Sequence, residues 1–373
     1  MEIKNFEIER YFARYEFSVQ YQLSPSDCEP LSQKKLIDMA NPQARSLWDN
    51  LHLGYTESRG NPLLRSEIAG LYTGLKDDNV LVAAPEEGIF LAMNTILRSG
   101  DHVIAPYPAY QSLYEIARGL GCEVTPWEGE EQKGWKFDLD FLKDSMRHNT
   151  KLVVMNFPHN PTGYLPSLKE FREMVDIVAA QGAYLFSDEM YRMLEFDPQD
   201  RLPSATEEYD KAVSLSGMSK VFGLPGLRIG WLTTQDKKLM DGVANFKDYT
   251  TICSSAPSEI LAIIGLQNKD GIIRENIQRI QENMNIFDDF TTRHQDLFSW
   301  IRPKAGSVAF PKIRSGEDSY QFCERVVSEA GVLVIPSSVF DYDRQHIRVG
   351  FGRAAFPEAL NVLEDYLFRT LPY

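Results

Sequence analysis

The sequence feature that most constrains the fold is an alternation of short apolar runs with helical patterns between about residues 51 and 250. The runs are four or five residues long and are bounded by turn-forming residues: 80–83, 102–105, 151–155, 183–186 and 212–215. Short apolar strands separated by helices are typical of a parallel sheet that is covered on both faces. We therefore expect an α/β domain over residues 51–250.

The rest of the chain has a different pattern. From about residue 260, long amphipathic helical stretches dominate, and a short apolar segment at 347–351 precedes a last helix that begins near Pro357. We predict a smaller α+β domain over residues 251–373, with residues 1–50 packing against it. A chain of 373 residues is long enough for two such domains.

Composition limits the partners and the location. The net charge of −14 would repel nucleic acid. The four cysteines lie far apart and form neither a CxxC pair nor a disulfide framework, so we expect reduced thiols. The N-terminus has no apolar run of signal-peptide length, and no stretch reaches the roughly 18 apolar residues of a membrane-spanning helix. We expect a cytoplasmic protein that does not bind membranes.

The segment from Ser216 to Trp231, which reads SGMSKVFGLPGLRIGW, carries the most chemical information. An isolated lysine is usually a solvated surface group. A lysine can, however, form a Schiff base with an aldehyde cofactor if its pKa is lowered, and an arginine eight residues later can hold a phosphate through two hydrogen bonds. Lys220 and Arg228 have this spacing.

This segment resembles the cofactor-lysine motif of the class I/II aminotransferases, which are fold type I enzymes that depend on pyridoxal 5'-phosphate (PLP). The likeness runs from about residue 50 to the C-terminus. It implies a large PLP-binding α/β domain with a mostly parallel sheet flanked by helices, plus a smaller α+β domain. It also implies that Lys220 forms the Schiff base with PLP and that Arg228 binds the phosphate.

A second motif, Asp188-Glu-Met-Tyr191, follows the run at 183–186. A carboxylate at the carboxyl end of a parallel strand can keep a pyridine nitrogen protonated, which makes the ring an electron sink. Asp after a strand is also a common helix N-cap. Because the motif resembles the family's D-x-x-Y, it implies that Asp188 holds the pyridine nitrogen and that Tyr191 donates to the cofactor's 3'-oxygen.

A third motif, Asn156-Phe-Pro-His-Asn160-Pro-Thr-Gly, follows the run at 151–155. Turn chemistry alone accounts for its Asn-Pro and Thr-Gly pairs. It is also similar to the family's N-P-x-N-P-T-G, with Phe157 in place of the first proline. The resemblance implies that Asn160 contacts the 3'-oxygen and the substrate.

Three further positions take roles from the resemblance. Tyr107 would stack on the cofactor ring, with Tyr110 as second choice, although a core aromatic is the alternative. Tyr55 would reach the cofactor phosphate of a second subunit, which implies a homodimer, whereas a surface loop is the alternative. Arg348 would bind the substrate α-carboxylate through its guanidinium fork, with Arg353 as competitor and a structural ion pair as alternative.

The phosphate site departs from the family pattern. Gly217 stands where relatives carry Ser or Thr, and Pro85 at the predicted helix start lacks an N–H. Other groups would then contact phosphate, namely the hydroxyls of Ser216 or Ser219 and the helix N-terminus at Glu86 and Glu87. We expect the two glutamate side chains to face elsewhere, since a carboxylate would repel phosphate.

Two acids lie in residues 23–30, where relatives have a Gly-containing segment that closes over the substrate. Asp27 and Glu29 would suit a basic substrate, or they belong to a solvated loop. Arg59 would meet a distal substrate carboxylate from the neighbouring subunit, or it stays in solvent.

Taken with the resemblance, these residues predict an aminotransferase that moves an amino group between an amino acid and a 2-oxo acid. A PLP-dependent lyase or cyclase of specialised amino-acid metabolism is the alternative, with a basic amino acid as one option for its substrate, because such enzymes share every cofactor contact named above. A remote alternative is a PLP-binding regulator without enzyme activity. Such regulators usually add a basic DNA-binding segment, and none precedes residue 50.

Overall fold

The computed structural model describes residues 2–370 and has a central sheet surrounded by helices. The strands, numbered in chain order, are β1 (Tyr21–Gln22), β2 (Val80–Ala83), β3 (His102–Tyr107), β4 (Glu123–Glu130), β5 (Lys136–Phe137), β6 (Thr150–Asn156), β7 (Tyr184–Asp188), β8 (Ala212–Gly217), β9 (Gly230–Thr234), β10 (Phe298–Ser299), β11 (Val308–Ala309), β12 (Lys312–Ile313), β13 (Val332–Leu333), β14 (Ile335–Pro336) and β15 (Ile347–Gly350).

The helices are numbered in the same way. They are α1 (Glu7–Tyr15), α2 (Gln33–Asp38), α3 (Pro42–Asp49), α4 (Pro62–Ala69), α5 (Pro85–Ile96), α6 (Ser112–Gly119), α7 (Leu139–Ser145), α8 (Leu168–Ala180), α9 (Ala205–Glu208), α10 (Lys237–Lys247), α11 (Ala256–Gln267), α12 (Lys269–Arg293), α13 (Ser319–Ala330) and α14 (Phe356–Thr370). No helix within residues 2–370 is long and apolar enough to cross a bilayer.

The main sheet has eight strands in the order β2-β9-β8-β7-β6-β3-β4-β5. Strands β8, β7, β6, β3 and β4 are parallel to one another, β9 is antiparallel to both of its neighbours, and β5 is antiparallel to β4. Four of the five predicted apolar runs lie entirely within strands of this sheet, and the fifth, 183–186, begins one residue before β7. The predicted fold class, an α/β fold with a mostly parallel sheet, is confirmed.

Helices cover both faces of the sheet. Successive side chains of a strand point to opposite faces, so each strand contributes to two cores. On β3, Val103 belongs to a core shared with α5, α6 and α10. The next residue, Ile104, belongs to a separate core shared with α7 and α8. The strands are therefore apolar throughout, which is the pattern that the sequence shows.

A second, smaller group of strands lies outside the main sheet. Strands β11, β15 and β14 form an antiparallel sheet, and α12, α13 and α14 pack against one another beside it. The N-terminal strand β1 pairs in parallel with β13. This pairing brings the loop of residues 24–29 beside β15, since Gly350 donates its N–H to Leu23 O. The domain limits at residues 50 and 250 stay predictions.

Candidate active site

A cavity of about 410 Å³ lies at the carboxyl ends of β6, β7 and β8. This is the edge where α/β sheets bind ligands, and the volume is within the roughly 300–1,000 Å³ of small-molecule sites. We call it the Lys220 cavity. Eight of the predicted site residues line it: Glu86, Asn160, Asp188, Tyr191, Ser219, Lys220, Arg228 and Arg348.

Lys220 follows β8 and carries the amine of the cavity. Its Nζ donates a hydrogen bond of 2.7 Å to Ser26 Oγ. Burial lowers the pKa of Lys220, and the negative charge of Asp27 opposes that shift. A lowered pKa increases the neutral fraction of the amine, which is the form that attacks an aldehyde.

Asp188 is the last residue of β7 and is 6% exposed. Its Oδ1 accepts from the Met190 N–H at 3.1 Å. Burial raises the pKa of Asp188 to about 7, although that N–H and the charge of Lys220 oppose the shift. A pyridinium nitrogen is the kind of cation that would compensate this buried carboxylate.

Asn156, at the end of β6, fixes the two loops that carry Asn160 and Asp188. Its Nδ2 donates to Asp188 O at 3.1 Å, and its Oδ1 accepts from the Asn160 N–H at 2.9 Å. The first Asn of the Asn-Phe-Pro-His-Asn motif is thus a positioning residue. The motif therefore joins the ends of two neighbouring strands.

Arg348 lies on β15 and is 2% exposed. Its Nη1 donates to Asn160 Oδ1 at 3.3 Å, and its Nη2 donates to Ser24 O at 3.1 Å. Its Nε has no hydrogen-bond partner among residues 2–370. A buried guanidinium with an unused donor in a cavity is suited to bind a carboxylate.

The residues of the cavity fit PLP. The Ser219 hydroxyl, 5% exposed, lines the cavity and finds no hydrogen-bond partner in the described part of the chain, so a phosphate oxygen would satisfy it. Arg228, in the left-handed region with φ 53°, lines the same cavity. The start of α5 adds backbone amides. Lys220 and Asp188 supply the amine and the carboxylate that the aldehyde and the ring nitrogen require.

The structure does not place Tyr107, our first choice for the stacking ring, against the cavity. Tyr107 is still within β3, and its ring packs on Tyr114 with centroids 4.6 Å apart and Arg118 over it. Tyr110, our second choice, lies three residues beyond the strand and lines the cavity. Of the two tyrosines, Tyr110 is therefore the one that can contact a ligand in the cavity, because the side chain of Tyr107 is directed into the core.

Two more predicted phosphate contacts lie outside the lining. Ser216 is a buried residue of β8 that pairs with Trp231 of β9. Glu87 accepts hydrogen bonds from Thr250 and Thr251. Its side chain faces away from the cavity, as we expected.

Glu86 departs from that expectation, because its side chain lines the cavity. Its Oε2 accepts from Ser112 Oγ at 3.2 Å. Burial raises the pKa of Glu86 to about 7, and the Ser112 hydrogen bond opposes the shift. A carboxyl with this pKa is partly neutral near pH 7, which weakens its repulsion of an anion.

Tyr55 lies outside the cavity and is 91% exposed. Its predicted contact with a second subunit stays a prediction. Arg59 is not free for a substrate carboxylate in this chain, because its Nη2 pairs with Asp241 Oδ1 at 2.5 Å.

Sequence reasoning missed the contacts of the loop of residues 24–29. Asp27 accepts from Arg353 Nη2 at 3.0 Å through both oxygens, and Glu29 accepts from the Ala354 N–H at 2.7 Å. Both acids are therefore satisfied inside the protein. The Ser26 hydroxyl is the group of this loop that contacts Lys220.

Three glycines allow this loop to pass close to both neighbouring segments. A Cβ at Gly350 would lie 1.8 Å from Pro25 O, one at Gly352 would lie 2.3 Å from Asp27 O, and one at Gly223 would lie 2.4 Å from Glu29 O. No side chain fits at such distances. In the sequence, these three glycines were the feature that could have indicated close packing of the loop of residues 24–29 against the lysine motif and β15.

The second missed element is α1, which covers the cavity. Four residues from its length and its end line the cavity: Ile8, Glu9, Phe12 and Glu16. The sequence does show Glu9 and Glu16 seven residues apart on a short amphipathic helix. It does not show that this helix packs against residues more than a hundred positions away.

A parallel sheet with a desolvated lysine after β8 and a buried carboxylate at the end of β7 defines the PLP-dependent transferases of fold type I. The family model Aminotransferase class I and II matches residues 22–361, and the chain belongs to that family. Its cofactor is PLP.

Three relatives match over most of their length. Capreomycidine synthase of Streptomyces vinaceus is 32% identical over 320 residues, which cover 85% of this chain and 81% of that protein. A PLP-dependent aminotransferase from Streptococcus suis 89-1591 has a TM-score of 0.93 and 31% identity, and each chain is covered completely. The PLP-dependent cyclase OrfR has a TM-score of 0.91 and 27% identity over 100% of this chain and 99% of that one.

Proposed function

We propose that the protein is a PLP-dependent aminotransferase that moves an amino group between an amino acid and a 2-oxo acid. The observation that carries the proposal is the position of Lys220 Nζ, an amine with a lowered pKa in a cavity that also contains Asp188 and Arg348. The cavity thus combines a proton carrier, a ring-nitrogen partner and a carboxylate-binding group, which is what chemistry at an amino-acid Cα requires.

When bound, PLP supplies an aldehyde for the substrate amine and a protonated ring that accepts electron density from Cα. Lys220 removes the proton from Cα and returns a proton when the amino group is transferred. Asp188 keeps the ring nitrogen protonated, and Arg348 holds the α-carboxylate through its fork. Asn160 and Tyr191 act on the 3'-oxygen, while Tyr110 excludes water from one side of the cavity.

The proposal includes a homodimer in which Tyr55 contacts the cofactor phosphate of the partner protomer. Several large apolar side chains near Tyr55 are exposed, and a dimer would cover them: Leu53, Tyr249 and Ile252. Thr56 Oγ1 donates to Ser254 O at 3.5 Å, which places the two segments side by side. Exposed apolar patches of this kind favour association.

The first test is the absorbance spectrum of the purified protein with PLP. Wild type should show the visible band of a PLP–lysine linkage, and borohydride should abolish it. Lys220→Ala should lack this band and lose activity by roughly 100- to 10,000-fold or more, since it removes the proton carrier. A wild-type protein without such a band, even after PLP is added, contradicts the proposal.

A cyclase or lyase is the second candidate, and the relatives favour keeping it, since a synthase and a cyclase both match nearly the whole chain. Product analysis separates the two reactions. An aminotransferase releases a 2-oxo acid and then needs a second 2-oxo acid to restore the visible band. A cyclase or lyase restores the band without an acceptor.

A further inference from the structure

The outer wall of the Lys220 cavity is formed by α1, and it carries negative charge. Glu9, Phe12 and Glu16 are spaced by three and four residues, so they lie on one side of the helix, which faces the cavity. Glu16 is the residue that directly follows the last turn. The helix therefore presents two carboxylates to the same space that holds Lys220.

Contacts at both ends fix α1 over the cavity. The Glu7 N–H donates to Gln111 Oε1 at 2.8 Å, and Gln111 Nε2 donates to Asn5 O at 2.7 Å. At the other end, the Tyr15 hydroxyl donates to Glu324 Oε2 at 2.8 Å. These contacts join α1 to the residue that precedes α6 on one side and to α13 on the other, so they fix the helix over the cavity.

The cavity floor shows independently that a ligand with an anionic group belongs here. Arg348 and Ser219 are both more than nine-tenths buried and line the cavity. Arg348 Nε and Ser219 Oγ have no hydrogen-bond partner within residues 2–370. A substrate whose α-carboxylate meets Arg348 fills the space under α1 with its side chain.

Neither carboxylate of α1 forms an ion pair with a Lys or Arg of the described residues, although Lys220 lies near enough to both for their charges to interact. Glu16 has no side-chain hydrogen bond or ion pair within the described chain, and Glu9 accepts only a long bond of 3.5 Å from the Tyr110 hydroxyl. Asp27 differs, because Arg353 neutralises it through two contacts of 3.0 Å. Burial raises the pKa of Glu16, the nearby charges of Glu9 and Asp27 raise it further, and the charges of Arg353 and Lys220 oppose the shift.

We propose that Glu9 and Glu16 bind the cationic end of the substrate side chain, so that the amino substrate is a basic amino acid. The proposal rests on the proposed function and adds the substrate class to it. An ammonium or guanidinium group in the cavity would be attracted by the charges of both carboxylates, whereas an acidic side chain would be repelled and a neutral one would leave them unpaired. Asp27 and Glu29, which the sequence suggested for this role, are already bound within the protein.

The test measures substrate binding by the PLP-loaded enzyme through the change in its visible spectrum, which requires no turnover. Arginine is compared with citrulline, and lysine with norleucine, because each pair has nearly the same shape but differs in charge. Wild type should bind the basic member about tenfold or more tightly. Glu9→Gln and Glu16→Gln should each reduce this preference, and the double variant should abolish it.

Glu7→Gln is the matched control, because it removes the same charge from the same helix at a residue outside the cavity lining. It should keep the wild-type preference. Equal binding of arginine and citrulline by wild type, or a preference that survives in the double variant, overturns the proposal. If arginine and citrulline bind equally well and both react, only the substrate class is wrong. A protein without the PLP–lysine band contradicts the proposed function instead.

Discussion

At the scale of the residue, burial of Asp188 in the Lys220 cavity destabilises the cofactor-free protein when the carboxyl is ionised. Its buried carboxylate has a pKa raised from 3.8 to about 7 in the cofactor-free protein, chiefly by burial. Because the folded-state pKa of Asp188 lies above its unfolded value, the neutral carboxyl stabilises the folded protein fully below about pH 4. This stabilisation is lost as the pH rises through about 7. The buried charge therefore destabilises the cofactor-free protein, because Lys220 and the Met190 N–H compensate it only in part.

Asp188→Asn should stabilise the cofactor-free protein by about 1–2 kcal/mol at pH 8, because the amide removes the buried charge while Oδ1 keeps the Met190 N–H. The gain should shrink towards pH 5. Activity should fall by about 100-fold or more, since the ring nitrogen loses its partner. Thermal unfolding of both proteins across this pH range, without and with PLP, measures the effect. A variant that is less stable than wild type at pH 8 contradicts this account.

The site residues that the sequence predicted correctly as cavity-lining share one property. Asp188 ends β7, and Asn160 and Lys220 lie in the loops after β6 and β8. The carboxyl ends of parallel strands meet at one edge of the sheet, so local sequence defines the position of all three residues. For the stacking ring, the sequence favoured Tyr107, which is the last residue of β3, over Tyr110, which lies beyond that strand. That boundary depends on pairing with β4, which reaches Tyr107, and the motif does not encode it.

At the scale of the element, the sequence predicted β2, β3, β6, β7 and β8 of the main sheet but not β4, β5 or β9, nor the role of α1. The strand β9 follows the lysine motif and pairs antiparallel with β8, so its partner is set by a tight turn around Pro225–Leu227 rather than by an apolar pattern of its own. The position of α1 depends on contacts with α6 and α13, more than a hundred residues away. Such contacts leave no trace in local periodicity.

The close passage of the loop of residues 24–29 beside β15 gives a prediction at this scale. In Gly350→Ala the new Cβ would lie 1.8 Å from Pro25 O, so the loop must move and carry Ser26 away from Lys220. We expect a loss of about 1–3 kcal/mol in stability and a clear loss of activity. Chemical unfolding and initial rates measure the two effects.

Gly271→Ala in α12 is the control, because a Cβ there meets nothing within 4 Å. It should leave activity unchanged. If Gly350→Ala acts through the displaced hydroxyl, its effect on activity should not add to that of Ser26→Ala. Additive losses would show that the glycine acts by another route.

At the scale of the whole molecule, the proposed dimer makes each active site depend on two protomers. Tyr55 is 91% exposed and lies outside the cavity of its own chain, so it can contribute only to a neighbouring site. Tyr55→Ala should therefore reduce PLP affinity while leaving the fold unchanged, as measured by PLP titration and circular dichroism. If Tyr55 were a surface residue alone, the substitution would have an effect near zero, within about 0.5 kcal/mol.

Mixing Lys220→Ala with Tyr55→Ala tests the arrangement directly, at a PLP concentration that saturates wild type but leaves Tyr55→Ala without cofactor. In a dimer of Lys220→Ala with Tyr55→Ala, the protomer that keeps Lys220 receives an intact Tyr55 from its partner. The other site lacks both groups. In a symmetric dimer, random mixing makes half of the dimers hybrid. Each hybrid has one working site out of two, so about a quarter of the wild-type activity should return. No recovery, despite hybrid dimers shown by mass spectrometry of the mixture, would mean that Tyr55 acts within its own chain or not at all.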